Sequence, residues 1–226
     1  LCRFVRRTLF RDQSGAVDRR QFTLVITHPT GPLLQLSGHT AEVYCVAVSA
    51  DGSRALTGSA DRSMKLWSLT TGACLRTFEG HGGPITCVAF RPDGQAAVSG
   101  STDRGARVWI LTTGQVTQEL TGHASWVNAV AFLGASKVIT ASGGRDQSIR
   151  VWSLPEGNLV NRLTNHVGWV RALSVGAEGR TGWTMGVDRS LRAWDLERGV
   201  CIRTLEPFAS QLTALTCSSD GRTALV

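Results

Sequence analysis

Short apolar runs separated by turn residues recur along the chain. The run from Val43 to Val48 is rich in β-branched residues, which predicts a strand. Ala50-Asp51-Gly52-Ser53 then predicts a hairpin turn, and further strands are predicted at 54–58, 64–69 and 73–78. Because no segment with a 3.6-residue period interrupts these short strands, the pattern predicts an all-β fold.

Many of the predicted strands have apolar residues on both of their faces. Val43, Cys45 and Ala47 lie on one face of the first predicted strand, and Val46 and Val48 lie on the other. A sheet with one solvated face alternates apolar and polar residues, whereas sheets stacked face to face need not. A radial array of four-stranded sheets meets this requirement.

A unit of about 42 residues recurs four times, and four residue types recur at the same spacing. The spacings are 42 or 43 residues for each type. These repeating residues are His39, His81, His123 and His166; Asp61, Asp103, Asp146 and Asp188; Trp67, Trp109, Trp152 and Trp194; and Gly72, Gly114, Gly157 and Gly199. One extra residue falls inside 141–145, between the third His and the third Asp.

The order of these residues resembles the signature of the WD-repeat family. Gly38-His39 is followed by Asp61 and then by Trp67, and the second and third units match in the same way. The fourth unit has Asn165 in place of Gly, and it alone has the literal Trp-Asp pair. The resemblance covers 33–206 and implies a WD-repeat β-propeller with four complete repeats and a partial unit at each end.

The resemblance also implies a hydrogen-bonded tetrad of His, Ser or Thr, Asp and Trp in each repeat. The implied tetrads are His39–Thr57–Asp61–Trp67, His81–Ser99–Asp103–Trp109, His123–Thr140–Asp146–Trp152 and His166–Thr184–Asp188–Trp194. The extra residue leaves Ser142 as an alternative to Thr140. In each tetrad the indole donates to the hydroxyl, the hydroxyl to the imidazole, and the imidazole to the carboxylate.

The tetrads contain the residue types of a Ser-His-Asp hydrolase triad. Catalysis needs one constellation in one cleft, whereas this set recurs with the period of the fold. The tetrads use four of the five His, and the fifth, His28, lies in a predicted turn. We therefore interpret the tetrads as structural, and we expect no enzyme activity, no catalytic residue and no cofactor.

The units at the two ends are incomplete in this sequence. We expect residues 1–13 to be an unassigned basic segment, either helical or a short strand, and 14–32 to be a degenerate partial repeat. Its third and fourth strands are predicted at 22–26 and 33–36. Residues 33–206 hold the four repeats, and 207–226 resemble the start of a fifth. Because the chain starts without Met, we expect it to be a fragment of a larger ring.

Charge and cysteine content add little to this interpretation. The net charge is +7, and six Arg in residues 1–20 account for most of it. The rest is spread along the chain, unlike the concentrated patch of a nucleic-acid surface.

The six Cys show no zinc-ligand spacing, so no metal is expected. Four of them are interpreted as core residues: Cys45, Cys74, Cys87 and Cys201. No apolar run of membrane-spanning length occurs, and a cytoplasmic, or alternatively nuclear, location is expected.

The WD-repeat resemblance implies a protein-binding scaffold or adaptor. Family members contact partners three and five residues after the tetrad His and just before the tetrad Asp. The candidate partner-binding residues are Glu42, Tyr44, Thr86, Trp126, Asn128, Arg145, Trp169 and Arg171. Trp and Arg are enriched in binding hot spots, and together they would suit an acidic or aromatic anchor on another protein or peptide. Alternatively, Trp126 and Trp169 pack between neighbouring repeats.

Two further functions remain open from the sequence. The array could be the regulatory or sensor part of a larger multidomain signalling or assembly protein, for example after a nucleotide-binding domain. No phosphate-binding loop motif occurs in this sequence. The array could also be a nucleic-acid-associated factor, because its first residues are rich in Arg, although nucleic acid is the less favoured partner. No membrane or small-molecule substrate is expected.

Overall fold

A computed structural model describes residues 5–6, 22–26, 34–205, 208–209 and 214–226. Every regular element in these ranges is a strand, which confirms the all-β prediction. The first eleven strands are β1 Val5–Arg6, β2 Phe22–Ile26, β3 Leu34–His39, β4 Val43–Val48, β5 Arg54–Ser59, β6 Met64–Ser68, β7 Cys74–Phe78, β8 Ile85–Phe90, β9 Ala96–Ser101, β10 Ala106–Ile110 and β11 Val116–Leu120. The remaining strands are β12 Val127–Leu133, β13 Lys137–Ser142, β14 Ile149–Ser153, β15 Leu159–Leu163, β16 Val170–Val175, β17 Thr181–Gly186, β18 Leu191–Asp195, β19 Val200–Leu205, β20 Thr216–Cys217 and β21 Ala224–Leu225.

Sixteen of these strands form four antiparallel four-stranded sheets in simple chain order. We name them sheet I (β4–β7), sheet II (β8–β11), sheet III (β12–β15) and sheet IV (β16–β19). β1–β3 form a three-stranded sheet before them, and β20–β21 form a hairpin after them. Tight turns join neighbouring strands, and glycines such as Gly52 and Gly94 occupy the left-handed positions that these turns require.

The sheets stack face to face with their first strands side by side. β4 contacts β8, β8 contacts β12, β12 contacts β16, and β16 contacts β20. Apolar cores fill the spaces between successive sheets. Trp109 of sheet II, for example, packs in one cluster with Leu56 and Phe78 of sheet I. This arrangement confirms the predicted WD-repeat propeller architecture, with the first strands nearest the common axis and the fourth strands at the rim.

The end units pack against the four central sheets. Leu36 of β3 lies in one apolar cluster with Trp67 of sheet I. At the other end, the buried Trp183 donates from Nε1 to the carbonyl of Gly221, 2.8 Å away, as expected for a core residue. Apart from β1 and β2, the predicted basic segment 1–13 and the predicted degenerate repeat 14–32 lie outside the described residues. The proposed unit boundaries at 13, 32 and 206 remain predictions.

The cysteines divide between core and surface. Cys87 is buried and Cys45 is partly buried, both on first strands. Cys74, by contrast, is exposed on β7, and the expectation that it is a core residue was wrong. The reason is its place on a fourth strand, because fourth strands form the outer edges of the sheets and all four show mostly exposed positions.

Candidate partner-binding site

The four tetrads set the geometry of one end of the sheets. In sheet I, Trp67 Nε1 donates to Thr57 Oγ1 at 2.8 Å, and that oxygen lies 2.7 Å from His39 Nε2. His39 Nδ1 lies 2.7 Å from Asp61 Oδ2. The hydroxyl therefore accepts from the indole and donates to Nε2, which leaves Nδ1–H to donate to the carboxylate.

The same chain of contacts recurs in the other three sheets. In sheet II, Ser99 Oγ lies 2.8 Å from both Trp109 Nε1 and His81 Nε2. In sheet III, Thr140 Oγ1 takes this position, 2.9 Å from Trp152 Nε1 and 2.7 Å from His123 Nε2. In sheet IV, Thr184 Oγ1 lies 2.7 Å from Trp194 Nε1 and 2.8 Å from His166 Nε2. The carboxylates of Asp103, Asp146 and Asp188 each bond to Nδ1 of their histidine.

The hydroxyl of the tetrad in sheet III belongs to Thr140 and not to Ser142, the alternative that the sequence left open. Ser142 donates instead to the carbonyls of Ser125 and Trp126, at 3.2 and 3.0 Å. Thr140 lies 17 residues after its tetrad His, against 18 for the hydroxyl residues of the other sheets. The turn after Ser142, which contains Gly143 and Gly144, is therefore two residues longer, and Gly144 has φ 56° there. The tetrad register is therefore the same in all four sheets.

Burial and hydrogen bonding set the protonation of the tetrads. Burial lowers the pKa of His39, His81 and His123 below the usual value, although the neighbouring carboxylates oppose this. Burial alone would raise the pKa of Asp61, but hydrogen bonds from Ser63, His39 and the Thr40 N–H hold it at about 2. Neutral imidazole beside ionised carboxylate matches the donor chain described above.

The tetrad hydroxyls are closed to substrates. Ser99, Thr140 and Thr57 are buried, and so are all four tetrad histidines. A nucleophile must reach a substrate atom in a cleft, whereas each of these oxygens is already bonded to an indole and an imidazole. The tetrads instead join the loop before the first strand to the second and third strands.

We call the end of the sheets that carries the tetrad His and Asp residues the His-loop end. Here the chain just before each first strand is bonded to the turn after the second strand. The Trp126 carbonyl accepts from Gly143 N–H, and the Trp169 carbonyl accepts from Val187 N–H, both at 2.9 Å. Glu42 and Pro84 accept equivalent bonds from Ala60 and Thr102. The backbone of Glu42, Trp126 and Trp169 is therefore held in place.

Trp126 and Trp169 form an exposed aromatic pair at this end. Their ring centroids lie 6.3 Å apart with an interplanar angle of 64°, the edge-to-face arrangement that aromatic rings favour. The two side chains remain 49% and 47% exposed. They contact each other across the boundary between sheets III and IV without entering the core, so the packing alternative accounts for only part of their surface.

The other candidate residues divide into two groups. Thr86 Oγ1 donates to the Val127 carbonyl, and Asn128 Nδ2 donates to the Val170 carbonyl at 3.0 Å. These two side chains therefore join the first strands of successive sheets. Tyr44, Arg145 and Arg171 are exposed, whereas Glu42 is half-buried.

A set of basic residues at this end was not singled out from the sequence. Each Trp of a tetrad is preceded, two residues earlier, by a basic residue on the third strand. These residues, with their partners in register on the fourth strand, are Lys65 and Thr77, Arg107 and Glu119, Arg150 and Arg162, and Arg192 and Thr204. Alignment of the four units by their tryptophans would have revealed the series.

Metal-binding and membrane-spanning features are not found in the described ranges. No group of three or more His, Cys, Asp or Glu residues there could hold a metal ion. The same residues include no helix with the length and apolar character needed to cross a bilayer.

Comparison with known proteins identifies the repeat. A family model described as "WD domain, G-beta repeat" matches residues 30–68, 72–109 and 114–153, which together are more than half of the chain. Similar proteins include THO complex subunit 3 of Arabidopsis thaliana, 42% identical over 55 residues, which cover 24% of this chain and 18% of that protein.

Two further relatives match over similar lengths. WD repeat-containing protein 18 of Mus musculus is 50% identical over 40 residues, which cover 18% of this chain and 9% of that protein. A ribosome biogenesis protein BOP1 homolog of Anopheles gambiae is 39% identical over 49 residues, which cover 22% of this chain and 6% of that protein. The matches thus span less than a fifth of the length of each of these relatives.

Proposed function

Because this chain belongs to the WD-repeat family, whose repeats generally mediate protein–protein interaction, we propose that it is a non-catalytic scaffold or adaptor. In this proposal another protein or a peptide binds at the His-loop end, over sheets III and IV. The four sheets provide a rigid support, and the residues before the first strands provide the contacts.

The main support for this proposal is the exposed pair of Trp126 and Trp169. Tryptophan is enriched among residues that dominate binding energies, and soluble proteins usually bury much of its surface. Here two half-exposed indoles meet on a backbone held by hydrogen bonds to the neighbouring turns. A partner would bury the remaining ring surface without ordering a flexible loop, which reduces the entropic cost of binding.

Arg145 and Arg171 indicate the chemistry of the partner. Both side chains are exposed. Arg171 lies five residues after its tetrad His and Arg145 lies directly before its tetrad Asp, whereas each of the two indoles lies three residues after its tetrad His. Guanidinium groups near aromatic rings favour a peptide with a carboxylate or an aromatic anchor. Thr86 and Asn128 take a supporting role in the proposal, because their side chains bond to the next sheet.

The test is partner capture by matched variants of the full chain. Trp169→Ala and Arg171→Glu are expected to abolish capture of partners that bind the unaltered protein, with little change in the urea midpoint. Leu159→Ala is the control, because Leu159 is 46% exposed but lies on the outer strand of sheet III. Equal capture by Trp169→Ala and the control, or unfolding of both site variants, contradicts the proposed site.

The nucleic-acid alternative has two observations in its favour. One of the relatives is named as a ribosome biogenesis protein, and residues 1–20 of this chain are rich in Arg. A phosphate-backbone contact would weaken steeply with salt, so a salt titration of RNA binding separates this function from peptide binding.

The names of the three relatives state no compartment, and the predicted cytoplasmic location gains no support from them.

A further inference from the structure

Two arginines face each other across neighbouring strands of sheet III. Arg150 on β14 is directly in register with Arg162 on β15. At the same place in sheet II, Arg107 pairs with Glu119, with Nε 3.0 Å from Oε1. Sheets I and IV have Thr opposite the basic residue, and it accepts a hydrogen bond from Lys65 or Arg192. Like charges placed directly opposite in a sheet are destabilising, so sheet III departs from the other three.

The nearby carboxylate of Asp146 does not neutralise both arginines. Its Oδ1 lies 3.9 Å from Arg150 Nη2 and 3.7 Å from Arg162 Nη2, both beyond hydrogen-bond distance. The same carboxylate already accepts bonds from His123 and Ser148. Burial and the neighbouring Arg162 lower the pKa of Arg150, although Asp146 acts in the opposite direction. Arg150, Arg162 and Asp146 together therefore carry one positive charge that no carboxylate balances.

An open cavity of about 480 Å³ adjoins this group at the His-loop end. Arg104 and Arg107 line it on the side of sheet II together with the carboxylates of Asp103 and Glu119, and Gly122 and His123 line it on the side of sheet III. Gly122 lies against the Arg150 guanidinium, since a Cβ built on it would be 2.6 Å from Arg150 Nη1. Arg150 therefore lies behind Gly122, beside the cavity but outside its lining. Arg107 Nη1 is buried and makes no hydrogen bond within the described residues.

We propose that Arg150 and Arg162 form an oxyanion site that binds a phosphorylated side chain of a partner protein. A phosphate monoester carries close to two negative charges and three strong acceptor oxygens. Guanidinium groups bind such oxygens through paired, charge-assisted hydrogen bonds. Arg162 is 54% exposed, so an anion reaches its guanidinium from solvent.

This inference rests on the proposed function, because it assigns the anion to the same kind of partner. The arginines and the indoles lie at the same end of sheet III, near the rim and near the axis respectively. An extended peptide lying across this end would meet both. We commit to a phosphorylated peptide because WD repeats generally mediate protein–protein interaction; a phosphorylated lipid headgroup is the alternative that the last experiment tests.

Inorganic phosphate is the first probe, added to the full chain during thermal unfolding. A ligand that binds only the folded state raises the Tm. Phosphate stabilises folded proteins in general, so the expected result is a larger rise in Tm for the unaltered chain than for Arg162→Gln. We expect Arg162→Gln to weaken phosphate binding about tenfold, as for loss of a charged hydrogen-bond partner. Arg198→Gln is the control, because it removes the same charge at the opposite end of sheet IV, where its side chain is 81% exposed.

Arg162→Glu provides a sharper test than simple loss of the charge. It would reproduce the Arg107–Glu119 pair of sheet II at the equivalent position of sheet III. We expect this variant to have a higher Tm than the unaltered chain without phosphate, and to lose its response to phosphate. Equal phosphate responses in the unaltered chain, Arg162→Gln and Arg162→Glu would overturn the proposal, as would a phosphate effect no larger than that of chloride.

The source of the phosphate is tested with two further probes. A degenerate phosphoserine peptide library should bind more tightly than the same library with serine, and Arg162→Gln should remove the difference. Binding to phosphatidylcholine vesicles that contain a phosphatidylinositol monophosphate, without binding to the phosphopeptides, would overturn the assignment to a protein partner. Trp169→Ala should retain the Tm response to inorganic phosphate. Failure of the aromatic site and failure of the oxyanion site are therefore distinguishable.

Discussion

The carboxylate of Asp103 lies 2.7 Å from Nδ1 of the buried His81 imidazole. The same oxygen accepts the backbone N–H of Gly82 at 2.9 Å, and the other oxygen accepts that of Gly105. One side chain thus joins the loop that enters sheet II to the turn between its second and third strands. The contact recurs in sheets I, III and IV, so each sheet is fastened at the His-loop end in the same way.

Removal of this carboxylate should destabilise the fold. Asp103→Ala leaves the His81 Nδ1–H and two backbone N–H groups without their acceptor, which should cost about 1–3 kcal/mol of unfolding free energy. Urea unfolding followed by tryptophan fluorescence measures the loss. Asp93→Ala is the control, because Asp93 lies in an exposed turn at the opposite end of the same sheet. An unchanged midpoint for Asp103→Ala would refute the structural role of the tetrad.

The stability of the protein should fall as the pH is lowered. The folded state holds His39, His81 and His123 below their usual pKa of about 6.5, so the unfolded chain binds more protons below that pH. By linkage, the contribution of these histidines is complete above pH 6.5 and declines as the pH falls through it. The lowered pKa of Asp61, about 2, adds a second loss below about pH 4. Urea midpoints that rise between pH 7.5 and 5 would contradict this assignment.

The residue after each tetrad Asp should be sensitive to the shape of its side chain. Arg62, Arg104, Gln147 and Arg189 all have positive φ, between 53° and 73°, a conformation that costs a residue with a Cβ about 1–2 kcal/mol. Asn tolerates this conformation better than Arg, and β-branched residues tolerate it worst. Arg104→Asn should therefore keep or raise the urea midpoint, and Arg104→Val should lower it. The reverse order would show that this turn is not strained.

Close packing between sheets II and III should make Gly100 intolerant of a larger residue. A Cβ at Gly100 would lie 2.6 Å from both Cys87 Sγ and Val127 Cγ1, so Gly100→Ala should cost about 1–3 kcal/mol through overpacking. The equivalent pair in sheet III is Ala129 and Ala141, where a smaller partner leaves room for the methyl group. Cys87→Ala combined with Gly100→Ala should therefore recover part of the loss. A double variant no more stable than Gly100→Ala would contradict this explanation.

The strand and turn pattern of the sequence determined the all-β fold class and the positions of most strands, and the resemblance to the WD-repeat family implied the four tetrads. These features depend on short-range signals, because each strand, its turn and its His, Asp and Trp residues lie within one unit of about 42 residues. The pattern of Gly38-His39, Asp61 and Trp67 therefore predicts the same local geometry wherever it recurs.

Only the tertiary structure decided what each remaining side chain contacts. The strand register brings Arg150 opposite Arg162, and the stacking of sheets engages Thr86 and Asn128 with the next first strand. The exposed Cys74 reflects the outer position of β7. These contacts join residues on different strands or in different units, so they depend on how the sheets pair and pack, which the residue pattern of a single unit does not specify.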